Sequence, residues 1–207
     1  MASSAVDRVA TAVLEWNVRR LWGFPPRLVG EIVTDLGPYG AVAWFGRNIP
    51  RYRRTFDAFG ALRTHLMCLA ISLVNNCPYC VHGDGLGLQL AYLRNHGKLF
   101  PLCENSVNAL CGQSPALIRH RLAVALQRSG LHGEVPWLDR AMTLAVTETP
   151  IATDPDEVRI AHLVRMYRTL NRIANTNDTE PDQAHSPLNK DHWLKMRYKG
   201  LRAAERA

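Results

Sequence analysis

No stretch of the 207 residues keeps about 18 uncharged apolar positions in a row, the length a helix needs to cross a bilayer. The longest apolar run, Leu66 to Val74, is too short. The opening MASSAVDRVATAV carries Asp7 early and lacks the basic-then-apolar order of a secretory signal, so the sequence predicts a cytoplasmic protein with no membrane partner. No run alternates apolar and polar residues with period two, which leaves nothing to build a half-buried strand from. No internal repeat of fixed period is visible. A second C-x-x-C or an H-x-x-x-H is also missing, so the four ligands of a structural zinc are not assembled and no metal is expected.

Charge is modest in amount, 21% of residues, against a hydrophobic fraction of 47%, which is ample for a core and unlike a disordered chain. Its balance is basic, with a formal net charge of +7. The excess gathers at Arg47, Arg51, Arg53 and Arg54 and again at Lys195, Arg197, Lys199 and Arg202. Neither group is interleaved with an RNA-reading motif or a recognition-helix pattern, so the expectation is a solvated basic surface and no nucleic-acid partner. A non-enzymatic helical subunit docking through that surface is the one partner-binding alternative. The five cysteines, an odd number, argue against a disulfide framework and for free thiols, a redox pair or a metal site.

What is present reads as one all-α domain over residues 1–207, with a core at about 25–178, a polar, flexible loop at 176–190 and a basic tail at 191–207. A first helix is expected over 5–21, with Val9, Val13, Trp16 and Arg20 on one face, stopped by the stretch Gly23 to Pro26. Further helices fit 28–36, ended by Gly37-Pro38, and 41–47, ended near Pro50. Residues 55–75 form the most apolar helix, greasy on all sides, hence central and buried. After Asn75-Asn76, Pro78 sits where the first turn of a helix to about Asn95 begins, a position that suits proline because its missing N–H would have no partner there. Residues 101–115 are less regular. Helices then fit 115–129, 136–148 and 155–175. The last opens on an Asp154 cap, Pro155, and two acids at the positive helix end, and a short basic helix finishes the chain.

The chemistry concentrates in His65-Leu-Met-Cys68 and Asn76-Cys77-Pro78-Tyr79-Cys80-Val81-His82-Gly83-Asp84. Two cysteines spaced C-x-x-C at a helix start can approach closely enough to bridge. The unpaired N–H groups and positive dipole end there favour a thiolate, the reactive form. One sulfur can then be oxidised and the other can resolve it as an internal disulfide. Asp84, four residues after Cys80, shares its helix face, whereas His82, two residues on, projects to a different side. His65 lies on one stripe with Cys68 and Ser72. If its helix folds back antiparallel across Asn75-Asn76, His65 approaches Asp84 and Cys80. Gly83, Gly85 and Gly87 weaken the helix by about 1 kcal/mol each relative to alanine. They read either as close approach of a helix or ligand or as a local break. Cys68, Cys103 and Cys111 read as inert.

The order buried helix, Asn-Cys-x-x-Cys, helix resembles the AhpD-like alkylhydroperoxidase and carboxymuconolactone decarboxylase family. The stretch Tyr167-Arg-Thr-Leu-Asn171-Arg172-Ile173-Ala174 is similar to that family's later helix. The layout covers about residues 25–178 and the specific motif about twenty. The resemblance implies an all-helical homo-oligomer, often a trimer or hexamer. It also implies a peroxide or small-disulfide substrate reduced through Cys77 and Cys80, with a thiol electron donor and no cofactor. The peroxidase branch carries C-x-x-C-x-x-x-H and a glutamate twelve residues before the first cysteine. Here Asp84 stands at the histidine position and His65 at the glutamate position, so acid and imidazole have exchanged helices. A second reading stays open: a cofactor-free acid–base enzyme, decarboxylase or lyase, in which His65 and Asp84 move protons.

Overall fold

A computed structural model describes residues 4–147 and 152–205. Among the described residues there are eight α-helices, two short 3-10 turns and no strand: α1 Ala5–Trp22, α2 Leu28–Val74, α3 Pro78–His96, α4 Glu104–Asn108, α5 Pro115–Arg128, α6 Val135–Val146, α7 Pro155–Thr176 and α8 His192–Ala204. The fold is all-α. The expected position 148 of the sixth helix, and the Pro150 expected to stop it, lie outside the described residues.

Local chemistry sets most of these boundaries. Ser4 caps α1 with a reciprocal Ser4–Asp7 capping box, and Gly23 closes it in the left-handed region at φ 86°. Asp154 accepts the N–H groups of Asp156 and Glu157 at the start of α7. Asn76, at φ 51°, makes the turn between α2 and α3, a conformation asparagine tolerates better than most residues.

Helix α2 organises the rest, packing against α1, α3, α6 and α7. Its 47 residues are three runs, interrupted by Gly37 (φ 70°) and Gly60 (φ 76°). The break at Gly37-Pro38 is the expected one. Pro50 does not end a helix: Pro50 and Gly46 are both exposed, so water can replace the N–H that the Gly46 carbonyl loses. The second break falls instead at Gly60, inside what reads as one continuous helix over 55–75. The final run is interior from Thr64 to Leu73, with Leu66 through Ile71 all 0% exposed. By length and composition α2 could span a bilayer, but 67% of its most apolar window is buried within this fold.

The face of α1 that carries Val9, Val13 and Trp16 is exposed, while Ala10, Leu14 and Val18 are buried. One expectation needs correction. The segment 176–190 is not a loose polar loop: Ala184, His185 and Ser186 are buried, and residues 187–190 form a 3-10 turn. The basic tail is likewise partly structural. Arg202 is buried and donates to the Phe100 carbonyl, and Arg197 donates to the Gly97 carbonyl at the C-terminal end of α3.

The three glycines of α3 differ in what surrounds them. A Cβ at Gly87 would lie 2.8 Å from Cε1 and Nδ1 of His65, and one at Gly83 would overlap the His185 ring, whereas at Gly85 nothing lies within 4 Å. Alanine should therefore stabilise at position 85 by about 1 kcal/mol through helix propensity. At 83 and 87 overpacking of roughly 1–3 kcal/mol should outweigh that gain. Thermal unfolding of the three variants should raise the midpoint for Gly85→Ala and lower it for Gly83→Ala and Gly87→Ala. A uniform rise would mean that neither imidazole is seated against the helix.

Candidate active site

Cys77 is the N-cap of α3. Its backbone is extended (φ −111°, ψ 96°), Pro78 opens the first turn, and its sulfur accepts the Cys80 N–H at 3.5 Å. That cap brings the two sulfurs into mutual hydrogen-bond contact, and they titrate as a pair. The hydrogen bond from the Cys80 thiol holds Cys77 below the ordinary thiol range, despite its burial, with backbone N–H groups of Cys80 and Tyr79 assisting. Burial and the adjoining Cys77 sulfur push Cys80 well above it. The first proton therefore leaves the Cys77 side and the second is retained between the sulfurs.

The antiparallel return of α2 onto α3 places His65 where the turn geometry predicts. His65 Nδ1 and Asp84 Oδ1 are 3.1 Å apart with both side chains 0% exposed, and the edge of the imidazole meets Phe56. Asp84, one turn beyond Cys80, adds negative charge that raises both thiols. The same carboxylate raises Cys68, which burial has already pushed far up and which is hydrogen-bonded to Tyr167. The far atoms of this cluster, His65 Nε2, Asp84 Oδ2, Tyr52 Oη and Ser72 Oγ, are buried without a hydrogen-bond partner among the described residues. Each such atom costs about 1–3 kcal/mol.

Cys80 also forms part of the wall of a narrow cavity of about 50 Å³, enough for a few water-sized molecules or one slender chain. Trp22, Tyr52, Tyr79, Tyr167 and His185 line it together with aliphatic side chains of α1, α2 and α7. Cys77, His65 and Asp84 do not line it. The cavity is thus apolar, with one thiol at its wall and the His65–Asp84 couple outside its lining.

His82 faces elsewhere. It is half-buried, its Nδ1 is 3.4 Å from Asn108 Nδ2, and burial lowers its basicity. No hydrogen bond joins it to either sulfur among the described residues. Cys103 caps α4, where Ser106 and backbone N–H groups hold its thiol below the usual value against a burial effect of the opposite sign. Burial pushes Cys111 up to about 11. Among the described residues no three His, Cys, Asp or Glu side chains converge as metal ligands.

One group was not singled out from sequence. Asp182 Oδ1 lies 3.3 Å from His185 Nε2, while Asp182 Oδ2 accepts from Tyr79 Oη at 3.1 Å and from the Arg27 N–H at 3.0 Å. Burial pushes the Asp182 carboxyl up, but His185 and the N–H groups of Arg27 and Gln183 more than offset that and leave it below the ordinary range. His185 lies between Trp22 and Tyr79, at ring-centroid distances of 5.3 and 4.9 Å. The available signal was an Asp-x-x-His between Pro181 and Pro187, two residues that limit the freedom of an otherwise polar stretch.

Replacing Asp84 with asparagine removes the negative charge that opposes ionisation of the sulfurs. Thiolate absorbance in the ultraviolet, followed against pH, should therefore rise at lower pH in Asp84→Asn than in the wild-type protein. A titration unmoved, or moved upward, would mean that Asp84 does not act on the sulfurs electrostatically.

No family model matches the chain, and no curated protein or solved structure matches it.

Proposed function

We propose that the protein is a cysteine-dependent oxidoreductase that reduces a peroxide through Cys77 and Cys80. The carrying observation is the placement of Cys80 at the wall of the apolar cavity while its sulfur is hydrogen-bonded to the Cys77 cap. The sequence resemblance to the AhpD-like peroxidases supports the same reading. The singly ionised pair shares one proton, so its charge can sit on the sulfur that faces the cavity. The Cys80 thiolate attacks the terminal oxygen of a hydroperoxide, the O–O bond breaks, and the alkoxide leaves and is protonated to an alcohol. Cys80 is then a sulfenic acid. Cys77 attacks its sulfur, the S–S bond forms, and the hydroxyl departs with a proton as water. The two electrons come from the thiol pair, and a thiol donor restores it by disulfide exchange. A small disulfide is the other substrate that this pair chemistry accommodates.

The acid–base alternative has the His65–Asp84 hydrogen bond in its favour. Against it, neither residue borders the cavity, so a substrate there meets the sulfur first.

Single-turnover mixing of the fully reduced protein with an organic hydroperoxide, read by intact mass, tests the peroxide reading. Wild type should lose two hydrogens as the Cys77–Cys80 disulfide. Cys77→Ser should stop with one added oxygen on Cys80, and Cys80→Ser should react at least about 100-fold more slowly. Equal rates in wild type and Cys80→Ser would end the proposal. Activity lost in His65→Ala but kept in Cys77→Ser/Cys80→Ser would transfer it to the acid–base alternative.

Assembly into a homo-oligomer belongs to the same proposal and is supported by the uncovered apolar stripe Val6, Val9, Val13 and Trp16, each about half exposed or more. Sedimentation should show a multimer that Val9→Glu/Val13→Glu dissociates. An unchanged sedimentation coefficient would remove α1 as the interface.

A further inference from the structure

The exchange of acid and imidazole between α2 and α3 leaves the peroxide reaction short of one component. The His65–Asp84 couple lies outside the cavity lining, and the position one turn after Cys80 holds an acceptor-only carboxylate. Breaking an O–O bond to an alkoxide requires a proton on the cavity side. We infer that His185, oriented by Asp182, is the catalytic acid and base of this cavity; the inference rests on the peroxide reading above.

The placement follows from α3 itself. Cys80 and Gly83 are three residues apart on one helix, so their Cβ positions lie about 5–6 Å from each other on the same face. A Cβ at Gly83 would overlap Nδ1, Cε1 and Cγ of His185, so the imidazole occupies the space next to Cys80 that any other residue at 83 would fill. The His185 backbone N–H donates to the Gly83 carbonyl at 3.3 Å, which pins the segment to α3 at that point. Trp22 and Tyr79 hold the ring, and Nε2 is turned to Asp182. Nδ1 is therefore the nitrogen left to exchange protons beside the sulfur, and both His185 and Cys80 line the same cavity.

The proton balance is complete with groups of this chain. His185 Nδ1 takes the proton that the Cys77–Cys80 pair gives up, leaving a thiolate and an imidazolium steadied by the Asp182 carboxylate. The thiolate attacks the terminal peroxide oxygen, the O–O bond breaks, and the imidazolium returns its proton to the departing alkoxide. Cys80 sulfenic acid and an alcohol result, with His185 neutral again. Asp182 acts through His185 and is a positioning residue; it also fixes the Tyr79 hydroxyl and the Arg27 backbone.

The test compares oxidants whose leaving groups differ in their need for a proton. Ethyl hydroperoxide expels an alkoxide, and peracetic acid expels a carboxylate that needs no acid. At a pH where thiolate absorbance shows the pair ionised in both proteins, so that no base is needed, intact-mass kinetics of disulfide formation should show His185→Gln slowed by about 100-fold or more with ethyl hydroperoxide and little changed with peracetic acid. Asp182→Asn should show the same split in smaller measure. An equal loss with both oxidants in both variants, or no loss with either, would overturn the role of His185 while leaving the cysteine chemistry intact. A wild-type protein that forms no disulfide with either oxidant removes the peroxide reading and this role together.

Discussion

The hydrogen bond between His65 and Asp84 is the constraint around which the interior is arranged. Both side chains are wholly excluded from solvent. A carboxylate alone in that position would carry a desolvation cost of several kcal/mol, and removal of one partner from a buried pair typically costs about 3–5 kcal/mol. The bond therefore fixes the register of the last run of α2 against α3, since a shift by one residue would separate the pair and bury a lone charge. Gly87 is the steric complement of that bond: only the absence of a side chain there lets the imidazole come down onto α3. Once that register is set, Cys77 and Cys80 at the N-terminal end of α3 are both buried, although Asn76 and Pro78 beside Cys77 are exposed.

A second imidazole uses the same device one turn earlier. Gly83 admits His185 as Gly87 admits His65, so α3 carries a ring against each of two glycines four residues apart. The two couples differ in what lies beyond them. His65 and Asp84 are surrounded by buried side chains and act on the sulfurs only through their field. His185 borders the cavity that Cys80 lines, and Asp182 is hydrogen-bonded to it from outside that lining. On the peroxide reading, the electrostatics of the pair and the handling of protons at the cavity are divided between successive turns of one helix.

The parts of this arrangement that were legible in the sequence are those governed by interactions within a few residues of one another. Pro78 and Cys77 mark the helix start, Gly97 its end, and Asp154 the start of α7. The approach of His65 to Asp84 follows from a tight turn joining two helices, which leaves little freedom in how they pair. What the sequence did not disclose depends on contacts far apart in the chain. Which stripe of α1 is buried is decided by its packing against α2, which takes Ala10, Leu14 and Val18 and leaves Val9, Val13 and Trp16 outside. Gly60 reads as a tolerated helix residue until the path of α2 around α6 and α7 is known. The polarity of 177–190 suggests solvent, yet Asp182, His185 and Arg27 satisfy one another there, so burial costs little. Arg202 is similar: a cation read as surface charge is buried because Phe100, Tyr198 and Glu205 receive its donors.

The lining of the cavity bears on how the cysteine pair would be returned to its reduced state. The cavity is walled by Cys80 and not by Cys77. On the peroxide reading, a reductant that attacks Cys77 must therefore approach from elsewhere. The nearest solvent is at the tip of α3, where Asn76 and Pro78 are exposed on either side of the buried Cys77. Backbone hydrogen bonds from Asn75, Asn76 and Cys77 to Ile71, Leu73 and Ser72 hold the turn, so exposing Cys77 requires these to open locally. On the peroxide reading, oxidant meets Cys80 from the cavity and reductant meets Cys77 from the helix tip. Two neighbouring sulfurs in one turn then serve substrates that never share a path.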